Sequence, residues 1–134
     1  MNLLQVVEGT NTAYPFAKGH KLKTAFGSDL LFSAQKATRQ GIMLTHLTRW
    51  YGSAEILKMA TGTNGELLAL SGPCNPYPGK LGVLEQGAFA DLILVDGDPI
   101  ANISLVEDPA KNFLIITKGG RIYKDNLSFV THGM

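Results

Sequence analysis

The stretch Gly27-Ser28-Asp29 closes a short run of alternating residues and turns a carboxylate toward Leu30-Leu31-Phe32, an apolar segment that would line one side of a pocket. A single acid in such surroundings can transfer a proton or contribute one oxygen to a metal, and either task needs partners. The other residues able to do such chemistry are few. His20 precedes the run, His46 falls within a helical stretch and His132 lies near the end of the sequence. No two of the three have the spacing of a ligand pair, and surface or packing roles account for each. Cys74 is the only cysteine, so no internal disulfide forms. It follows Gly72-Pro73 in a loop with no histidine nearby in sequence, which reads as an unreactive loop thiol rather than a nucleophile.

The elements that would position Asp29 can be read around it. Residues 2–19 form a helical segment, broken near Pro15 and ended by Gly19 as C-cap. Residues 21–27 alternate, with Leu22, Thr24 and Phe26 against Lys21, Lys23 and Ala25, and are expected to form a short strand. Ser33 caps a helix through AQKATRQGIMLTHLTRW, with Gly41 weakening its centre by about 1 kcal/mol relative to Ala. Ile42, Met43, Leu47 and Trp50 make that helix's apolar side. Ser53 caps AEILKMA, and Thr63 with Glu66 has capping-box spacing ahead of Leu67, Leu68 and Leu70.

At residues 71–80, SGPCNPYPGK, three prolines interrupt regular structure. Short strands and turns follow. DLILV is almost continuously apolar, as a strand buried on both faces would be. FLIITKGGRIYKD reads as two strands joined at Gly119-Gly120, a primed turn requiring positive φ. The chain is therefore α+β: helix, strand and helices over residues 1–70, then a β-rich unit over 71–134.

Its 134 residues suffice for one ordinary domain, and 45% hydrophobic with 17% charged residues is an apolar globular composition. No apolar run reaches the roughly 20 residues needed to span a bilayer, so no membrane is expected. The first residues lack the pattern of a signal peptide, which makes the cytoplasm the default location. A net charge of +1 gives no electrostatic case for nucleic acid. Residues 1–62 carry seven Lys/Arg against three Asp/Glu, and residues 63–134 five against eight. The resulting +4 and −3 divide the chain into two units with complementary charge.

The order of these motifs resembles a known family. AFGSD, SAEILKMATGTNGELLAL, GKLGVLEQGAFADLILVDGDPIANI and IITKGGRIYKD together are similar to the C-terminal portion of the amidohydrolase superfamily, in particular its imidazolonepropionase-like and Xaa-Pro dipeptidase-like members. The resemblance covers nearly the whole chain, and Gly82 to Pro99 and Lys118 to Lys124 are its most specific parts. It implies a (β/α)8-barrel end, with residues 21–27 as the eighth strand, residues 2–19 as the helix before it and residues 33–70 as the helices after it. Residues 80–125 would supply the C-terminal share of a β-sandwich, with Asp91 in a turn rather than in catalysis.

The resemblance also implies a chemistry. Family enzymes activate water on one or two divalent metals, commonly zinc, and hydrolyse amide or related C–N bonds. The acid at the end of the eighth strand binds metal or handles the proton, and Asp29 matches that position. The family's His-x-His pair, its later lysine or glutamate and its two further histidines have no match here. One carboxylate falls short of the about three protein ligands of a catalytic zinc site.

The expectation is thus an amidohydrolase-related, truncated chain in which Asp29 is vestigial, with no cofactor of its own and no activity in isolation. Two alternatives are a subunit of a split hydrolase completed by a complementary barrel chain, and a non-catalytic scaffold or small-molecule-binding protein. A homo-oligomer, a dimer foremost, follows from a barrel strand at 21–27 without neighbours on either side. The substrate is not legible in these residues.

Overall fold

The computed structural model describes residues 3–30 and 33–127. Helix α1 spans Leu3–Gly19 and runs through Pro15 without ending. Proline removes one hydrogen bond from the ladder, but the helix continues to the His20 N–H, which donates to the Phe16 carbonyl at 3.0 Å. Gly19 is the last helical residue rather than the cap. Lys21 takes the left-handed role, at φ 53°. The Lys21 and Leu22 N–H groups return to the Lys18 and Ala17 carbonyls at 3.1 and 2.9 Å, closing a Schellman motif.

Residues 22–30 carry no regular secondary structure, so the strand expected at 21–27 does not form. The alternation there is real, but a strand needs a backbone ladder. Phe26 is paired instead by a side chain, as described below.

The helical stretch that follows is three short pieces rather than one. They are α2 (Ala34–Ala37), α3 (Gln40–Thr45) and a 3₁₀ turn (His46–Arg49). Ser33 does cap α2, its hydroxyl accepting the Lys36 N–H at 3.3 Å. Thr38 ends α2 with its hydroxyl turned back to the Gln35 carbonyl at 2.9 Å, the side-chain competition that disfavours threonine within helices. Helix α4 (Ser53–Ala60) starts one residue earlier than the serine cap implied, with Gly52 at the N-cap. The Glu55 carboxylate accepts the Gly52 N–H at 2.9 Å. Helix α5 (Gly62–Ala69) already contains Thr63, so the Thr63–Glu66 capping box is not made. Glu66 pairs with Lys23 at 2.5 Å.

The sheet is antiparallel in the order β1 (Leu92–Val95), β2 (Phe113–Lys118) and β3 (Arg121–Asp125). Between β1 and β2 lie a 3₁₀ turn (Ile103–Glu107) and α6 (Pro109–Asn112). The β2–β3 hairpin turns at Gly119 and Gly120, φ 55° and 76°, as the Gly-Gly pair requires. Asp91 fixes this tip, its carboxylate accepting the Gly119 N–H at 2.5 Å while the Ala90 carbonyl accepts the Gly120 N–H at 3.2 Å. Asp91 thus serves a turn, as the resemblance implied.

Strand β1 is not buried on both sides. Leu92, Ile93 and Leu94 are 40, 54 and 45% exposed, because β1 is an edge strand. The register sets Leu92 beside Thr117 and Leu94 beside Ile115 on one face, with Ile93 beside Ile116 on the other. Ile116 packs on the core, so the Leu92–Leu94 face points outward. That core joins Leu44, Leu47, Ile56 and Met59 of the helical elements, and Tyr51 of the loop before α4, to Ile103 and Val106 of the second 3₁₀ turn and Phe113 of β2. Helix α3 closes onto Val106 so tightly that a Cβ on Gly41 would lie 1.9 Å from the Val106 carbonyl oxygen. Gly41 is there for close approach, whatever it costs in helix propensity.

Candidate functional site

The segment carrying Asp29 is held by Asn64 of α5. The Phe26 N–H donates to Asn64 Oδ1 at 3.1 Å, and Asn64 Nδ2 donates to the Phe26 carbonyl at 3.0 Å. One amide thereby meets both backbone groups of Phe26, as a neighbouring strand would, and the same N–H also reaches the Met59 carbonyl at 3.4 Å. Lys23, bound to Glu66, ties the segment to α5 a second time. Beyond this anchor the chain reaches Asp29, which is exposed and adopts φ 47°. Aspartate tolerates that left-handed conformation better than most side chains. Leu31 and Phe32, expected to flank the acid, fall outside the described residues.

The histidines do not gather around Asp29. His20 packs its ring on Phe16, centroids 4.2 Å apart. His46 is exposed on its 3₁₀ turn and faces a cleft that Gly27 also lines. His132 lies outside the described residues. Cys74 is exposed in the turn Gly72–Cys74. Among the described residues, no group of three His, Cys, Asp or Glu could hold a metal ion. The donor set among the described residues therefore does not fit a catalytic metal.

A cleft lies near His46. About 460 Å³ in volume, it opens between α1, the Ala25–Gly27 segment and the turn after α3. Tyr14 and Trp50 stack beside it at 4.4 Å between centroids, and Tyr51 meets Tyr14 edge-on at 5.9 Å. Arg49 lies over the Trp50 ring at 4.8 Å, and its Nη2 donates to Asn11 Oδ1 at 3.0 Å. Behind these rings Lys18 donates to Glu55 at 2.9 Å and to the Trp50 carbonyl at 3.3 Å. The Gly52 N–H, and then Lys18, hold the Glu55 carboxyl below the usual carboxylate range. Lys23 lowers Glu66 in the same sense. The single tryptophan, preceded by an arginine, was the signal in the sequence that could have pointed here.

A helical layer over a three-stranded antiparallel sheet, with one acid on a left-handed turn ahead of the helices, defines an α+β chain in which no metal-ligand cluster accompanies that acid among the described residues. No protein-family profile and no curated protein matches it. Solved structures do. A structure described as an amidohydrolase is similar with a TM-score of 0.73 and 26% identity, over 86% of this chain and 26% of that one. A prolidase complexed with N-methylphosphonate-L-proline matches with a TM-score of 0.70 and 27% identity, over 84% of this chain and 26% of that one. A protein described as uncharacterized gives 0.69 and 27%, with the same coverage. These likenesses bear out the resemblance to the amidohydrolase superfamily, whose members are in general metal-dependent. The chain spans about a quarter of the length of the structures it matches, which fits a C-terminal portion. Among the described residues no helix is long and apolar enough to cross a membrane.

Proposed function

We propose that this amidohydrolase-related chain forms the end of a hydrolase barrel and the adjoining half of a β-sandwich, and that its 134 residues do not hydrolyse C–N bonds by themselves. The observation that carries this reading is Asp29. It stands at the end of an anchored extended segment, where the resemblance puts the family's acid, with no ligand cluster among the described residues. A carboxylate so placed can accept the proton of an attacking water and return it to a leaving nitrogen. Alone it provides neither an activated nucleophile nor charge stabilisation for the tetrahedral intermediate.

The test is an assay of the purified chain with added zinc or manganese. Suitable substrates are dipeptides, Xaa-Pro dipeptides (one neighbour being a prolidase), hydantoin-like rings and activated amides. No turnover is expected. Turnover that disappears in Asp29→Asn, or tightly held stoichiometric zinc in the native protein, would overturn the proposal.

A split hydrolase is the second reading, favoured by the apolar residues left on the outer sheet face, Leu92, Leu94 and Ile122. A complementary barrel chain would cover this face and would also extend to Asp29, where its histidines would be needed. Activity appearing only on mixing the two chains would establish it. For the chain by itself, we propose that a second copy covers this face.

A further inference from the structure

We propose that the cleft between α1 and the 3₁₀ turn after α3 binds a planar aromatic carboxylate. The volume of about 460 Å³ falls within the roughly 300–1,000 Å³ usual for small-molecule pockets. Its floor is apolar, made by Phe26, Met43, Leu47 and Met59. Its wall is the Tyr14–Trp50 pair, which offers flat surface and little conformational freedom to lose. Methionines in the floor adapt their shape to a ring placed between them.

The sign of the ligand's charge follows from the rim. Arg49 and His46 line the cleft, and among the described residues no aspartate or glutamate does. Arg49 is oriented in advance by its contact with Trp50 and by Asn11. A guanidinium has five N–H donors. One goes to Asn11, which leaves others to meet a carboxylate in a bidentate, charge-assisted pair. Thr10 also lines the cleft, but its hydroxyl proton goes to the Val7 carbonyl at 2.7 Å, so Arg49 is the donor that meets the anion. A ring held among Phe26, Met43 and Met59 can reach this rim with its carboxylate. The proposal needs neither Asp29 nor a metal, so it stands or falls separately from the hydrolase reading.

Trp50 is the only tryptophan, so its indole N–H gives one resonance that reports on the cleft. The full chain is titrated with 2-naphthoate and, separately, with 2-naphthamide. The expected result is a saturable shift of that resonance with both, and binding of the carboxylate about ten-fold or more tighter. Arg49→Gln should keep amide binding and erase the carboxylate's advantage. Asn11→Ala, outside the lining, should reduce that advantage while the spectrum stays that of a folded protein. It serves as the reporter if Arg49→Gln does not fold. Absence of a saturable shift with either compound overturns the proposal. So does an equal affinity for the two, or an advantage undiminished in the variants.

Discussion

Lys21 and Asp29, at the two ends of the extended segment, both hold φ near +50° without being glycine. Such a conformation is tolerable for aspartate and costly for a β-branched side chain. Asp29→Val is therefore expected to lower stability by about 1 kcal/mol or more, and Asp29→Asn to leave it nearly unchanged. Urea unfolding midpoints of the two variants check this. Glu55 makes a different residue-scale prediction. Its folded pKa is lowered, first by the Gly52 N–H and then by Lys18. Its contribution is thus fully present above the carboxylate's unfolded pKa and is lost as pH falls through the folded value. With about half of its side chain exposed, the contribution is small and salt-sensitive. Glu55→Gln should lower the urea midpoint at pH 7 and lower it less at acid pH, where the carboxyl takes up its proton. An equal loss at both pH values would disconnect Glu55 from the cap. Asp29 could be read from the sequence because Gly-Ser-Asp is turn chemistry. Asn64 could not, since an amide that replaces a strand across 38 residues leaves no local pattern.

At the scale of elements, helix propensity and packing make opposite predictions for Gly41. Propensity says that alanine there should stabilise by about 1 kcal/mol. The packing puts the added methyl 1.9 Å from the Val106 carbonyl oxygen, a contact that backbone must move to relieve. Overpacking of this kind costs roughly 1–3 kcal/mol, so Gly41→Ala is expected to lower the thermal midpoint. A raised midpoint would show that α3 and Val106 do not approach as described. The β2–β3 hairpin gives a matched case. Gly119→Val or Gly120→Val should destabilise by about 1 kcal/mol or more, since both positions need positive φ. Asp91→Ala should do likewise by removing the acceptor of the Gly119 N–H. Unchanged melting of all three variants would contradict the turn. The hairpin was legible because a glycine pair between apolar runs specifies it locally. The breaks in the 33–50 helix were not, because Thr38 and the approach to Val106 matter only once the chain has folded.

At the scale of the whole molecule, the expectation of self-association stands on different ground from the one the sequence offered. The strand at 21–27, whose bare edges were to recruit a partner, is an extended segment already held by Asn64. The exposed surface lies instead on the sheet. Register places Leu92 and Leu94 of β1, Ile115 of β2 and Ile122 of β3 on one face. The ladder sets Ile122 beside Thr117, which is beside Leu92, while Lys124 shares the opposite face with Ile116 and caps α6 through the Pro109 and Ala110 carbonyls. Leu92, Leu94 and Ile122 are 40, 45 and 57% exposed; with Thr117 between Leu92 and Ile122 and Asp125 beside Ile115 at the β3 end, they make an apolar surface with a polar edge, of the kind that marks an interface. Two copies facing each other across a two-fold axis would stack their sheets at about 10 Å, burying this face on both. Edge pairing through β1 is disfavoured, because an antiparallel match of Leu92–Val95 with its copy sets Asp91 opposite Asp96 of the second strand. Sedimentation equilibrium at about 100 micromolar is expected to give a mass above the monomer's 14.4 kDa, in keeping with the roughly micromolar-to-millimolar affinities of small apolar interfaces. Leu94→Lys with Ile122→Lys should return the chain to a folded monomer, because two buried cations facing their copies oppose association. A wild-type monomer at that concentration, or a dimer indifferent to the double substitution, would place the contact elsewhere or remove it.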